Sequence, residues 1–94
     1  MSFINFYKAT SRSTPCYWIK VAGVELLISY ETIVAVFVHG HCARRGKDWG
    51  PTTERHLKET GCRDFPVMEE KEFNEHVEQL VRTALVEEVS RRLT

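Results

Sequence analysis

No apolar run in the sequence approaches the roughly 18–20 residues that a helix needs to span a bilayer, so no membrane association is expected. The opening MSFINFYKAT has neither a basic start nor a continuous apolar core, which argues against a secretory leader. Cytoplasmic residence is the expectation. Cysteine is scarce and odd in number: Cys16, Cys42 and Cys62, with no CxxC spacing. Buried thiols are therefore expected in place of a disulfide framework. There is no Gly-rich phosphate loop and no nucleophile elbow, which removes the commonest nucleotide-binding and acyl-transfer signatures. No segment is of low complexity, and proline and glycine are sparse, so disorder is not expected.

What is present fits one small domain of 94 residues. A chain this short buries only about 60–65% of its unfolded surface, so its stability is expected to be modest. Net charge is zero, but it is unevenly spread. Residues 1–63 carry nine Lys/Arg against five Asp/Glu, and residues 64–94 carry four against eight. An acidic end lying against a basic loop would neutralise both; lying apart, they would form surfaces of opposite sign.

The clearest local signal is a hairpin. A two-residue turn at Ala22-Gly23 pairs Val21 with Val24, Ile19 with Leu26 and Tyr17 with Ile28 on one side. On the other side Lys20 meets Glu25, Trp18 meets Leu27 and Cys16 meets Ser29. A second turn at His39-Gly40 pairs Val38 with His41, Phe37 with Cys42 and Val36 with Ala43. Residues 33–38, IVAVFV, are apolar throughout, as in a central strand. Residues 3–9 read as a further, aromatic strand. Gly50-Pro51 stops the sheet, with Thr52 or Thr53 as helix cap, Glu54 in the first turn, and Gly61 as a left-handed stop.

From Glu69 onward one long helix is expected. Phe73, Val77, Leu80, Val81, Ala84 and Leu85 form its apolar stripe. Glu78–Arg82, Glu87–Arg91 and Glu88–Arg92 are i,i+4 pairs in the favourable order. The fold class is α+β. An antiparallel sheet of about four or five strands, built from hairpins, carries one short and one long C-terminal amphipathic helix on one face.

Three groupings could carry chemistry. His39, His41 and Cys42, with His56 and Cys62 further on, are potential metal ligands. Strand alternation puts His41 and Cys42 on opposite faces, so no metal and no cofactor are expected. Cys42 or Cys62 could pair with His56 as thiolate and imidazole, a pairing that chance also supplies. Arg44, Arg45, Lys47, Trp49 and Arg55, followed by Lys58 and Arg63, form a basic stretch with an aromatic. It could bind nucleic-acid phosphates and stack a base. Trp49 also fits a structural role at the start of the short helix.

SYETIVAVFVHG, then WGPTTERHL, then an acidic amphipathic helix resembles small proteins common in phages and prophages. The matching residues are Tyr30, Gly40, Trp49, Thr52, Thr53, His56 and Leu57. The usual Asn-Gly turn is His39-Gly40 here, and the strand after it is more basic. That family carries no assigned activity. The resemblance implies a host-cell cytosolic, non-enzymatic interaction protein of the anti-defence or anti-CRISPR type. Its partner would be a host protein or defence complex. Glu70, Glu72, Glu75 and Glu78 are the candidate partner-binding residues, offering an acidic face to a groove that normally holds phosphates. The alternatives are nucleic-acid binding through Arg44, Arg45, Lys47, Trp49 and Arg55, and a small metal-binding domain on His39, His41, Cys42 and Cys62. The chain would act as a monomer or as a homodimer through the C-terminal helix.

Overall fold

Strand β2 (Cys16–Val21) turns back through Ala22-Gly23 into β3 (Val24–Ser29) in the register that the side-chain alternation predicts, from Val21 opposite Val24 to Cys16 opposite Ser29. Both turn residues have positive φ, +49° and +90°. A tight two-residue hairpin demands that backbone, and glycine supplies it without strain. The computed structural model describes residues 4–10, 14–46 and 49–93. Phe3, assigned by pattern to the first strand, and Lys47 lie outside them.

Strand β1 (Ile4–Lys8) pairs with β2, and β4 (Thr32–Val38) pairs with β3 and with β5 (His41–Gly46). The β4–β5 register again matches expectation, Val38 to His41 through Val36 to Ala43. Helix α1 (Pro51–Glu59) then crosses to a short strand, β6 (Val67–Glu69), which runs parallel to β5. Helix α2 (Glu70–Leu93) follows without a break.

The sheet is thus mixed and six-stranded, in order β1-β2-β3-β4-β5-β6. The expected all-antiparallel sheet of fewer strands is corrected by β6. Three residues give no periodic signal. The strand exists because β5 offers its edge, beginning with the Arg44 amide donating to the Pro66 carbonyl at 2.8 Å. Gly46 makes the approach possible: a Cβ there would lie 2.5 Å from Val67 Cγ1 and 3.1 Å from the Met68 carbonyl oxygen. Gly46→Val should cost about 1–3 kcal/mol by overpacking. Hydrogen exchange at β6 should rise more than at β2; unchanged protection would refute the close-approach role.

The two helices cover opposite faces, which corrects the expectation of both on one face. The reason lies in β3 and β4. Leu26 and Leu27 are consecutive and point to opposite sides, and both are buried. Leu27, Ala35, Cys16 and Cys62 pack with Leu57 of α1, while Leu26, Val24, Val36 and Ala43 pack with Phe73 and Val77 of α2. One covering layer would leave one of these sets in water. A register shift helps the α1 side. Leu27 faces Ala35 but Ile28 faces Ile33, so Val34 is an extra residue. Val34 and Ala35 therefore both join the α1 cluster although they are neighbours in sequence.

Helix α1 starts on Gly50 with Pro51 in the first turn and no side-chain cap. Thr52 and Thr53 are not its caps; Thr53 is used elsewhere. The C-terminus ends as expected at Gly61, φ +78°. The Cys62 amide bonds to the Leu57 carbonyl at 2.9 Å and the Gly61 amide to Lys58 at 3.3 Å. That is a Schellman closure, and its apolar partners Leu57 and Cys62 are both buried.

In α2 only Phe73 and Val77 are fully buried. Leu80, Val81 and Ala84 pack at the margin of the same cluster, and Val86, Val89 and Leu93 are exposed. Glu78–Arg82 pairs at 2.6 Å and Glu88–Arg92 at 3.1 Å, while Arg91 also reaches Glu88. No helix among the described residues is long and apolar enough to cross a membrane.

Candidate functional site

The chemically densest spot lies beneath α1. His56 is wholly buried and Ser29, at the end of β3, nearly so. Ser29 Oγ is 2.8 Å from His56 Nδ1 and 2.9 Å from Thr53 Oγ1, and Thr14 Oγ1 is 2.8 Å from His56 Nε2. The Tyr30 ring lies 5.9 Å from the imidazole. Tyr30 holds φ +57° in the turn between β3 and β4, a conformation that costs most side chains about 1 kcal/mol. A serine on a histidine suggests acyl transfer. Burial of both groups leaves a substrate no approach, and both ring nitrogens already face hydroxyls. The network ties α1 to the sheet, because a buried polar group must be paired.

This placement corrects the suggested thiolate–imidazole pair: the hydrogen bonds to the His56 ring nitrogens run to Ser29 and Thr14. Burial pushes the Cys16 thiol up from 9.0 to about 11, with the nearby Cys62 and Glu59 adding to it. Burial likewise raises Cys62. Both thiols stay protonated and unreactive in the folded state. Native protein should therefore react with a thiol reagent at half-buried Cys42 first, and at Cys16 and Cys62 only on unfolding. A raised folded pKa means that the folded state holds the proton where the unfolded state has lost it. That contribution is intact below the ordinary thiol value and fades as pH rises toward about 11. The urea midpoint should fall steadily across that window, and a flat midpoint would count against burial as the cause.

The metal set of His39, His41, Cys42 and Cys62 is not assembled. His41 and Cys42 lie on opposite faces of β5, and Cys62 is buried with Leu57. No group of three or more His, Cys, Asp or Glu among the described residues could hold an ion. A different pair is assembled. His41 Nε2 on β5 lies 2.6 Å from His76 Nε2 on α2, with ring centroids 4.7 Å apart. Sequence reasoning missed His76, because 35 residues separate it from His41 and nothing local links them.

Arg44, Arg45 and Trp49 of the basic stretch are drawn into the fold. Arg45 pairs with Glu70 and lies over the Trp49 ring at 5.8 Å. Trp49 Nε1 bonds back to the Arg45 carbonyl at 3.4 Å, and the ring packs against the α1 core. Arg44 is mostly covered, and its Nε and Nη1 are buried with no hydrogen-bond partner among the described residues. Arg55, Lys58 and Arg63 are exposed. On α2, Glu72 and Glu75 are exposed, Glu78 is exposed and paired with Arg82, and Glu70 is held by Arg45.

Residues 4–75 match a family of unknown function, DUF8033. The chain belongs to this family. The DUF8033 match spans every strand and α1 and stops early in α2. It therefore includes the Ser29–His56 network, Arg45, Glu70, Glu72 and Glu75, and leaves out His76 and Glu78. No curated protein and no solved structure matches this DUF8033 chain.

Proposed function

We propose that the chain is a non-enzymatic interaction protein that binds a partner through the acidic outer face of α2. The observation that carries this reading is a contrast of exposure. Glu72 and Glu75 stand in solvent, and Glu78 is exposed in an ion pair with the exposed Arg82, whereas Arg44 and Arg45 are turned onto the protein. Between residues 70 and 82, α2 exposes Glu70, Glu72, Glu75 and Glu78 against Lys71 and Arg82, an excess of acid. Its complement is a basic groove, of the kind that otherwise holds nucleic-acid phosphates. The resemblance to phage and prophage proteins makes a bacterial defence complex, an anti-CRISPR type of target, the partner class to test, in the host cytoplasm. The exposed Val86, Val89 and Leu93 of α2 are the residues through which a second copy would pair.

Expression in a bacterium carrying a nucleic-acid-guided defence should restore phage plating. The triple variant Glu72→Lys, Glu75→Lys, Glu78→Lys should lose that effect while its melting temperature stays near wild type, because all three residues are exposed. Full inhibition by the triple variant would sink the acidic-face reading. A DNA or RNA mobility shift that weakens steeply with salt would instead favour the alternative through Arg55 and its basic neighbours.

A further inference from the structure

The geometry points to a divalent transition-metal site formed by His41 and His76, open to solvent and joining the sheet to α2. It uses none of the acidic-face residues, although Glu72 stands one turn before His76, and it does not depend on the reading of that face. The two Nε2 atoms approach to 2.6 Å with the rings nearly edge-on, at 69°. An ordinary nitrogen-donor hydrogen bond spans about 2.7–3.2 Å, so the two Nε2 atoms already face one another at hydrogen-bonding range. Two imidazole nitrogens on one tetrahedral ion at about 2.0–2.1 Å each stand roughly 3.3 Å apart. Opening the pair by less than about 1 Å would admit the ion.

Both rings can move that far. His41 is exposed, and His76 is half-buried at the margin of the helix. The neighbouring guanidinium of Arg45, four residues along β5 on the same face, is neutralised by Glu70 and does not oppose a cation. Neutral imidazole suits zinc, nickel and copper ions. With two protein ligands, water completes the coordination, and the site exchanges its ion more readily than a closed structural one. His76 also lines a cavity of about 470 Å³ with Ala22, Gly23, His39, Thr83 and Glu87.

Calorimetric titration of the full chain, purified without a histidine tag, with zinc or nickel chloride tests this. One ion per chain is expected. His41→Ala and His76→Ala should each weaken binding by at least about tenfold, since one of two ligands is lost, and Cys42→Ala, on the opposite face of β5, should leave it unchanged. Because the ion bridges β5 and α2, saturating metal should raise the melting temperature of wild type and not of His76→Ala. His41→Asn and His76→Asn serve as second variants should either alanine change perturb folding. No heat and no thermal shift, showing that the rings only share a proton, would overturn the proposal. So would binding that survives His76→Ala.

Discussion

His56→Ala should lower stability by about 3–5 kcal/mol, out of a total of about 5–14 kcal/mol for a domain of this size. The ring is fully buried, so its removal leaves a cavity under α1. It also strips a partner from two hydroxyls, Ser29 Oγ and Thr14 Oγ1, each 2.8 Å from an imidazole nitrogen. Ser29→Ala removes only a hydroxyl and leaves no large cavity, although His56 Nδ1 and Thr53 Oγ1 lose a partner, so it should cost less, about 1–2 kcal/mol. The double variant should cost less than the sum of the singles, because the two residues share one network. Urea unfolding followed by far-ultraviolet circular dichroism measures all three. A His56→Ala midpoint equal to wild type would refute the clamp.

Phe73→Ala should be comparably severe, about 3–5 kcal/mol, but should fail differently. Phe73 is the largest wholly buried side chain, and with Val77 it supplies all the full burial on α2. The helix is 24 residues long, about 36 Å, yet only its first half packs closely. Losing Phe73 removes the anchor at the sheet end, so α2 should separate before the sheet melts. Hydrogen exchange should show amides in α2 losing protection while those of β3 and β4 keep it. Val89→Ala, on the exposed end, should be within about 0.5 kcal/mol of wild type. Equal effects at the two sites would mean that α2 is held elsewhere.

Both hairpins were legible residue by residue. Their turns are two residues long, and the pairing on either side follows from strict alternation once the turn is placed. The stripe of α2 from Phe73 to Ala84 and the Gly61 closure of α1 were legible for the same reason, since each rests on residues within one or two turns of each other; Leu85, read into the stripe, does not join its cluster. The third turn, at Tyr30, hid behind a side chain that seldom takes positive φ. Strand β6 hid because its three residues have no pattern of their own and are ordered by the edge of β5.

The candidate sites were less legible. The stretch from Arg44 to Trp49 reads as an exposed basic patch, because charge in sequence carries no record of who neutralises it. Glu70 does so for Arg45 from another element. His56 reads as a free imidazole until Ser29 and Thr14, from two distant segments, are seen against its nitrogens. His41 and His76 meet only because α2 crosses the face of the sheet to which β5 turns His41.

By itself the sequence determined the strands paired through tight turns, the two helices, the α+β class and the separation of acidic from basic halves. These depend on backbone geometry and side-chain period over short spans. Only the tertiary structure decided which face each helix covers, which polar groups are buried together and which charges remain in water. Those outcomes turn on satisfying apolar surface on both sides of β3 and β4 at once, a condition that no single stretch of chain contains.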